Sequence, residues 1–144
     1  MADTPNSVYF EDLSIGLEAS TSNTVTADVI SVFADVSGDH NPVHVDADYA
    51  AGTIFKERIA HGMLSAAYIS AVFGMKLPGP GAIYISQTLA FKAPVKIGDE
   101  VVTTVKVAEL VPEKKRARFD CVCTINGKPV VTGEAVLMVP SRPA

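Results

Sequence analysis

Apolar residues recur along this chain with two periods, and the change from one to the other falls just past the middle. Between residues 26 and 37 they stand at Val29, Ile30, Phe33 and Val36, the three- and four-residue spacing of one helix face. Thr26 occupies the N-cap position before them, Asp28 lies in the first turn, and Gly38 offers a stop. Asp46 is placed to cap another short helix carrying Tyr49 and Ala50. From Gly62 to Gly74 the segment GMLSAAYISAVFG is apolar or small almost all round, which predicts a helix enclosed by other elements. The run Pro78-Gly79-Pro80-Gly81 cannot continue it.

Beyond residue 81 the texture is that of strands, expected over 82–91, 100–110, 114–125 and 128–139. Asn126-Gly127 between the last two is a hairpin signal, because both residues tolerate the positive φ of a tight type I′ turn. A further short strand is expected over 16–24, a stretch rich in Ser and Thr. One strand, helices with one of them buried, and a four-strand meander predict an α+β domain. In it a curved antiparallel sheet wraps the central helix, the hotdog arrangement. The expected domain is single and spans residues 1–144, with its core over about 8–139. Such a sheet leaves an edge strand and part of the helix uncovered, so a homodimer or larger homo-oligomer is expected.

Composition narrows the function classes. With 48% apolar and 19% charged residues among 144, the chain has an ample core and no disordered character. The net charge is −4, and the basic run Lys114-Lys115-Arg116 is interleaved with acidic neighbours, so no nucleic-acid partner is expected. The longest apolar stretch, 66–75, is about half of what crosses a bilayer, and no membrane partner is expected. The opening MADTPNSVYFEDL is acidic where a secretion signal is positive, which leads to the expectation of a cytoplasmic protein. Cys121 and Cys123, two apart on a strand, share one face and read as buried packing rather than as a disulfide or zinc site. No glycine-rich phosphate fingerprint is present, and neither cofactor nor metal is expected.

The densest chemistry is SGDHNPVHVD, residues 37–46. His40 and His44, four apart, would share one face of a helix and hold a metal with Asp39 or Asp46. Pro42 lies between them and disfavours helical geometry at Asn41, which removes that rationale. A plain turn accounts for Gly38, Asn41 and Pro42 but gives His44 no task. Across the rigid Asn-Pro turn, Asp39 and His44 can converge on one small polar molecule such as water.

Residues 33–44, FADVSGDHNPVH, followed by Ala50, resemble the hydratase motif of the (R)-specific enoyl-CoA hydratases of the MaoC-like hotdog family. His61-Gly62-Met63 at the start of the central helix and IYISQTLAFKAPVKIGDEV, residues 83–101, extend the resemblance, which runs from about residue 8 to 139. It implies an enzyme, a hydro-lyase that adds water reversibly and syn to a trans-2-enoyl-CoA to give the (R)-3-hydroxyacyl-CoA. Asp39 and His44 match the family's catalytic pair, and Gly62 matches the glycine whose backbone N–H binds the thioester oxygen. Asn41 matches the motif's asparagine, for loop shape and orientation of the pair. Ser70 matches a position facing the active site, while Phe73 and Val136 match the floor of the acyl pocket, which implies short or medium chains.

His61 reads as a cap or a subunit contact, and His40 occupies a variable position. Coenzyme A phosphates would want one of Lys56, Arg58, Lys76 or Lys92. An acyl carrier protein is compatible with the same site, as in a 3-hydroxyacyl-ACP dehydratase. A hotdog thioesterase and a non-catalytic acyl-binding subunit also stay open, although the latter would be marked by a missing Asp or His, and both are present.

Overall fold

The helical half begins where its cap is placed. In a computed structural model that describes residues 7–144, the Thr26 hydroxyl accepts the Val29 N–H at 3.1 Å and opens α1 (Ala27–Ser37). Gly38 closes that helix at φ 79°, a left-handed conformation that costs a residue without Cβ little. Residues 1–6, part of the opening stretch and of the expected domain, lie outside the described residues. After Gly38 come two short helices, α2 (Pro42–Val45) and α3 (Ala47–Ala51). Pro42 stands at the first position of α2, where its missing N–H has no intrahelical partner to lose, and Asn41 caps it by accepting the Val43 N–H at 3.2 Å. Pro42 therefore opens a helical turn instead of breaking one. Asp46 caps α3, its Oδ1 accepting from the amides of Asp48 and Tyr49.

The long helix α4 (Gly62–Met75) buries Leu64, Ser65, Ile69, Val72 and Phe73. Its opposite stripe, Met63, Ala67, Ser70, Ala71 and Gly74, is exposed. The chain thus covers one side of a helix whose sequence reads as enclosed all round. Small residues on the bare stripe produce that reading.

Six antiparallel strands complete the fold: β1 (Glu18–Thr24), β2 (Ile83–Gln87), β3 (Ala90–Phe91), β4 (Glu100–Val111), β5 (Arg116–Ile125) and β6 (Lys128–Met138). Their order is β1-β4-β5-β6-β2, with β3 also on β6. The expected strand 82–91 is broken at Thr88, whose carbonyl oxygen sits 1.9 Å from where a Cβ on Gly133 would stand. The expected strand 114–125 starts at Arg116, because Pro112–Lys114 form a 3-10 turn. Asn126 and Gly127, at φ 50° and 79°, make the predicted hairpin.

Val101, Val105, Phe119, Cys121, Cys123, Ala135 and Leu137 carry the sheet's side of the core that α4 closes. This is the α+β hotdog arrangement. Among the described residues no helix is long and apolar enough to cross a membrane.

Candidate active site

The segment between α1 and α4 folds back so that its polar groups meet the N-terminus of α4. Asp39 follows the α1 cap, and its Oδ1 accepts the Asn41 N–H at 3.1 Å in a tight local turn. One turn of α2 then carries His44 inward, where it is 9% exposed. His44 Nδ1–H donates to the Ile59 carbonyl at 2.8 Å, which leaves Nε2 as the accepting nitrogen of the neutral ring. Arg58 Nε–H donates to the His44 carbonyl at 2.6 Å, and the Ile59 N–H to that of Val43. His44 is therefore held by backbone on both sides.

His61 completes the group. It is buried, its Nε2–H donates to the Asp39 carbonyl at 2.9 Å, and its ring stacks on His44 with centroids 3.9 Å apart and planes at 26°. An Asp39 carboxylate oxygen and one ring nitrogen from each histidine lie within 4.8 Å of one another. Asp39 and His44 are thus close enough for one water to bridge them at hydrogen-bond length. Stacked rings aim their in-plane lone pairs along nearly parallel directions, which suits separate hydrogen bonds better than convergence on one ion. His40 is not part of the group: its Nε2 pairs with Asp35 at the surface, 2.9 Å away.

A cavity of about 570 Å³ opens beside these residues, lined by His44, His61, Gly62, Ser65, Phe91 and Lys92 among others. Gly62 is the first residue of α4, where amides have no intrahelical partner and the helix dipole is positive. The Phe91 ring packs on it so closely that a Cβ at Gly62 would lie 2.7 Å from a ring carbon. Of the four cations considered for phosphates, Lys92 lines this cavity, Arg58 is engaged by the His44 carbonyl, and Lys76 donates to Ser20 O elsewhere.

Ser70 and Phe73 lie further along α4, about 12 and 16 Å from Gly62 at the usual helical rise. With Tyr84 and Leu137 they line a small separate cavity of about 160 Å³. Phe73 meets Tyr84 and Phe119 edge to face, at 5.4 and 4.9 Å, so aromatic rings close this end. Val136 is not there. It pairs with Arg118 and shares that residue's face of the sheet, whereas its neighbour Leu137 pairs with buried Ala117 and points to the core. The lining position on β6 is Leu137. Asn41 spends its side-chain oxygen within the loop, as a cap. His61, read from sequence as a cap or a subunit contact, joins the Asp39 loop to the head of α4.

A fold of this kind, with a His and a helix-terminal glycine at one cavity and an Asp close to that His, defines a class, and residues 14–133 match the model of the MaoC like domain: the chain belongs to the MaoC-like family. Within it, the chain is 58% identical over 134 residues to an (R)-specific enoyl-CoA hydratase of Rhodospirillum rubrum, covering 93% of each. It is 50% identical over 135 residues to a 3-hydroxybutyryl-CoA dehydratase of Methylorubrum extorquens, covering 94% of this chain and 86% of that one. The unliganded R-hydratase PhaJ1 of Pseudomonas aeruginosa superposes with a TM-score of 0.91 at 47% identity, over 96% of this chain and 89% of that one.

Proposed function

We propose that the protein is an (R)-specific enoyl-CoA hydratase, adding water to a trans-2-enoyl-CoA in a reaction that runs equally as dehydration of the (R)-3-hydroxyacyl-CoA. The observation that carries this is the convergence of Asp39 and His44 on a water-sized space next to the first amide of α4. With the thioester oxygen on the Gly62 N–H, attack of water on C3 builds enolate charge where a helix N-terminus favours it. Gly62 has no side chain to hold the thioester away. The Asp39 carboxylate takes a proton from the water and carries it to C2 on the same face, while His44 Nε2 holds the water's other proton. Asn41 keeps the loop in shape. The two relatives named for hydration and dehydration describe the same bond change in opposite directions.

The acyl chain runs along α4 toward Ser70 and Phe73, and the ring cluster there limits it to short or medium length. Coenzyme A is the carrier, with Lys92 at the cavity for its phosphates, and the protein is cytoplasmic. A second copy covers the bare stripe of α4 and the edge strand β2, where Ile83, Tyr84 and Ile85 are exposed. A groove between them, lined by Phe33, Met63, Ala67 and Ile85, is apolar. The homodimer is expected in light scattering, and a monomer at micromolar concentration would remove that part.

The test mixes the protein with crotonyl-CoA and follows enoyl absorbance while a thiol reagent reports free coenzyme A. The protein's own thiols are poor competitors, since both are buried and burial pushes Cys121 up to about 11. Loss of absorbance without thiol release, with an R product, is expected. Thiol release would make the protein a thioesterase instead. A series of enoyl chain lengths decides the pocket, and a preference for long chains would refute its aromatic floor.

A further inference from the structure

We propose that His61 is a positioning residue for hydration, which holds the Asp39 loop and the plane of the His44 ring in register with the Gly62 amide. The inference rests on the hydratase reading above and assigns a task to a residue that the reading leaves idle.

His61 is the N-cap residue of α4 yet makes no side-chain cap bond. Its Nε2–H reaches across 22 residues of sequence to the Asp39 carbonyl instead. Its ring lies against His44, with Phe33 tilted at 48° and 5.0 Å away. One imidazole thus touches the residue that carries the carboxylate, the residue whose Nε2 holds the water, and by covalent continuity the glycine that carries the amide. Three groups from three elements must be placed together for water and thioester to meet, and His61 contacts all three.

Packing alone does not account for a histidine here. Donation from Nε2 makes Nδ1 the bare nitrogen of the neutral ring, and Nδ1 is buried with no hydrogen-bond partner. A phenylalanine would stack on His44 as well and leave no polar atom unsatisfied. What only the histidine supplies is the Nε2–H bond to Asp39.

Two variants separate the contributions. H61F keeps an aromatic face and loses the donor. H61Q keeps an amide N–H near the position of Nε2 and loses the stack. Misplacement of a reacting group by about an ångström costs up to about a hundredfold. H61F is therefore expected to lose about 10- to 100-fold in kcat on crotonyl-CoA with KM within about threefold of wild type. H61Q should recover part of the loss. A merely structural residue would lower Tm and leave kcat below Tm unchanged.

On the wild-type protein, nitrogen-15 NMR of the histidine rings is expected to find a proton of His61 on Nε2, engaged with the Asp39 carbonyl. That measurement decides the point if both variants fail to fold. An Nδ1–H tautomer, an H61F that keeps pace with wild type, or an H61Q no better than H61F would each overturn the proposal. A wild-type protein that hydrates nothing overturns the hydratase reading and this inference together. A wild type that hydrates, with H61F equal to it, overturns this inference alone.

Discussion

Replacing Gly62 by alanine isolates the backbone amide from every titratable group at the site. The new Cβ would stand 2.7 and 2.9 Å from two Phe91 ring carbons, closer than real contacts allow. Those carbons belong to the far end of a side chain that is 54% exposed, so the ring swings out and the backbone stays. Destabilisation should then remain within about 1 kcal/mol, the range of substitutions whose neighbours can yield, and Tm within about 5 °C of wild type. Activity is a different matter. The methyl projects into the space from which a thioester approaches the amide, and loss of one such donor typically costs about 3 to 4 kcal/mol of transition-state stabilisation. At 1.36 kcal/mol per decade this is roughly a hundred- to thousandfold in kcat, read from enoyl absorbance on crotonyl-CoA. Adding F91A to G62A removes the clash and keeps the methyl, so activity should stay low. A G62A enzyme with more than a third of wild-type kcat would refute the oxyanion assignment. Full restoration by F91A would show that ring displacement, and not the amide, was responsible.

Asp39→Asn and His44→Ala should each lower kcat at least about a hundredfold, the usual worth of a positioned acid or base, with circular dichroism unchanged. Near-wild-type turnover in either folded variant would sink the shared-water mechanism. Gly133→Ala should destabilise by about 3 kcal/mol or prevent folding, because its Cβ would meet the Thr88 carbonyl at 1.9 Å, a backbone atom with nowhere to go; a denaturation midpoint within error of wild type contradicts this. The hydrogen bond His40 donates to Asp35 raises the His40 pKa above its ordinary value, the nearby charges of Asp35 and Asp39 adding to it. The pair's stabilisation is complete below the unfolded value and is lost as pH rises through the folded one. An NMR titration should find the raised midpoint, and Asp35→Asn should return it toward the ordinary range.

The parts of this molecule that are legible in its sequence are those governed by neighbours along the chain. The Thr26, Asn41 and Asp46 caps, the Gly38 stop and the Asn126-Gly127 hairpin each depend on a few adjacent residues, and each forms. The Asp39 to His44 spacing belongs to the same kind, a turn whose rigidity comes from its own Asn-Pro. What the sequence hides is set by residues far away in it. The break at Thr88 exists because Gly133, 45 positions on, lets a carbonyl pass. Val136 and Leu137 are equally apolar, and only the pairing of β6 with β5 decides which one faces the core. The place of His61 depends on a bond to Asp39 that no local pattern announces. The bare stripe on α4 escapes notice because periodicity reports which residues tolerate burial, not what covers them.

The groups assigned to bond making, Asp39, His44 and Gly62, all come from one contiguous stretch that is pinned to itself through Arg58, Ile59 and His61. The walls proposed to meet the far end of the acyl chain come from elsewhere, from the last turns of α4 and from β2 and β6. Reaction and substrate size are therefore written in separate passages of the gene. Phe73, about 16 Å along α4 from Gly62 at the usual helical rise, is far enough from the stretch for its substitutions to combine additively with changes in it. Selection, or an engineer, can retune chain length by mutating one passage while the other is left as it is.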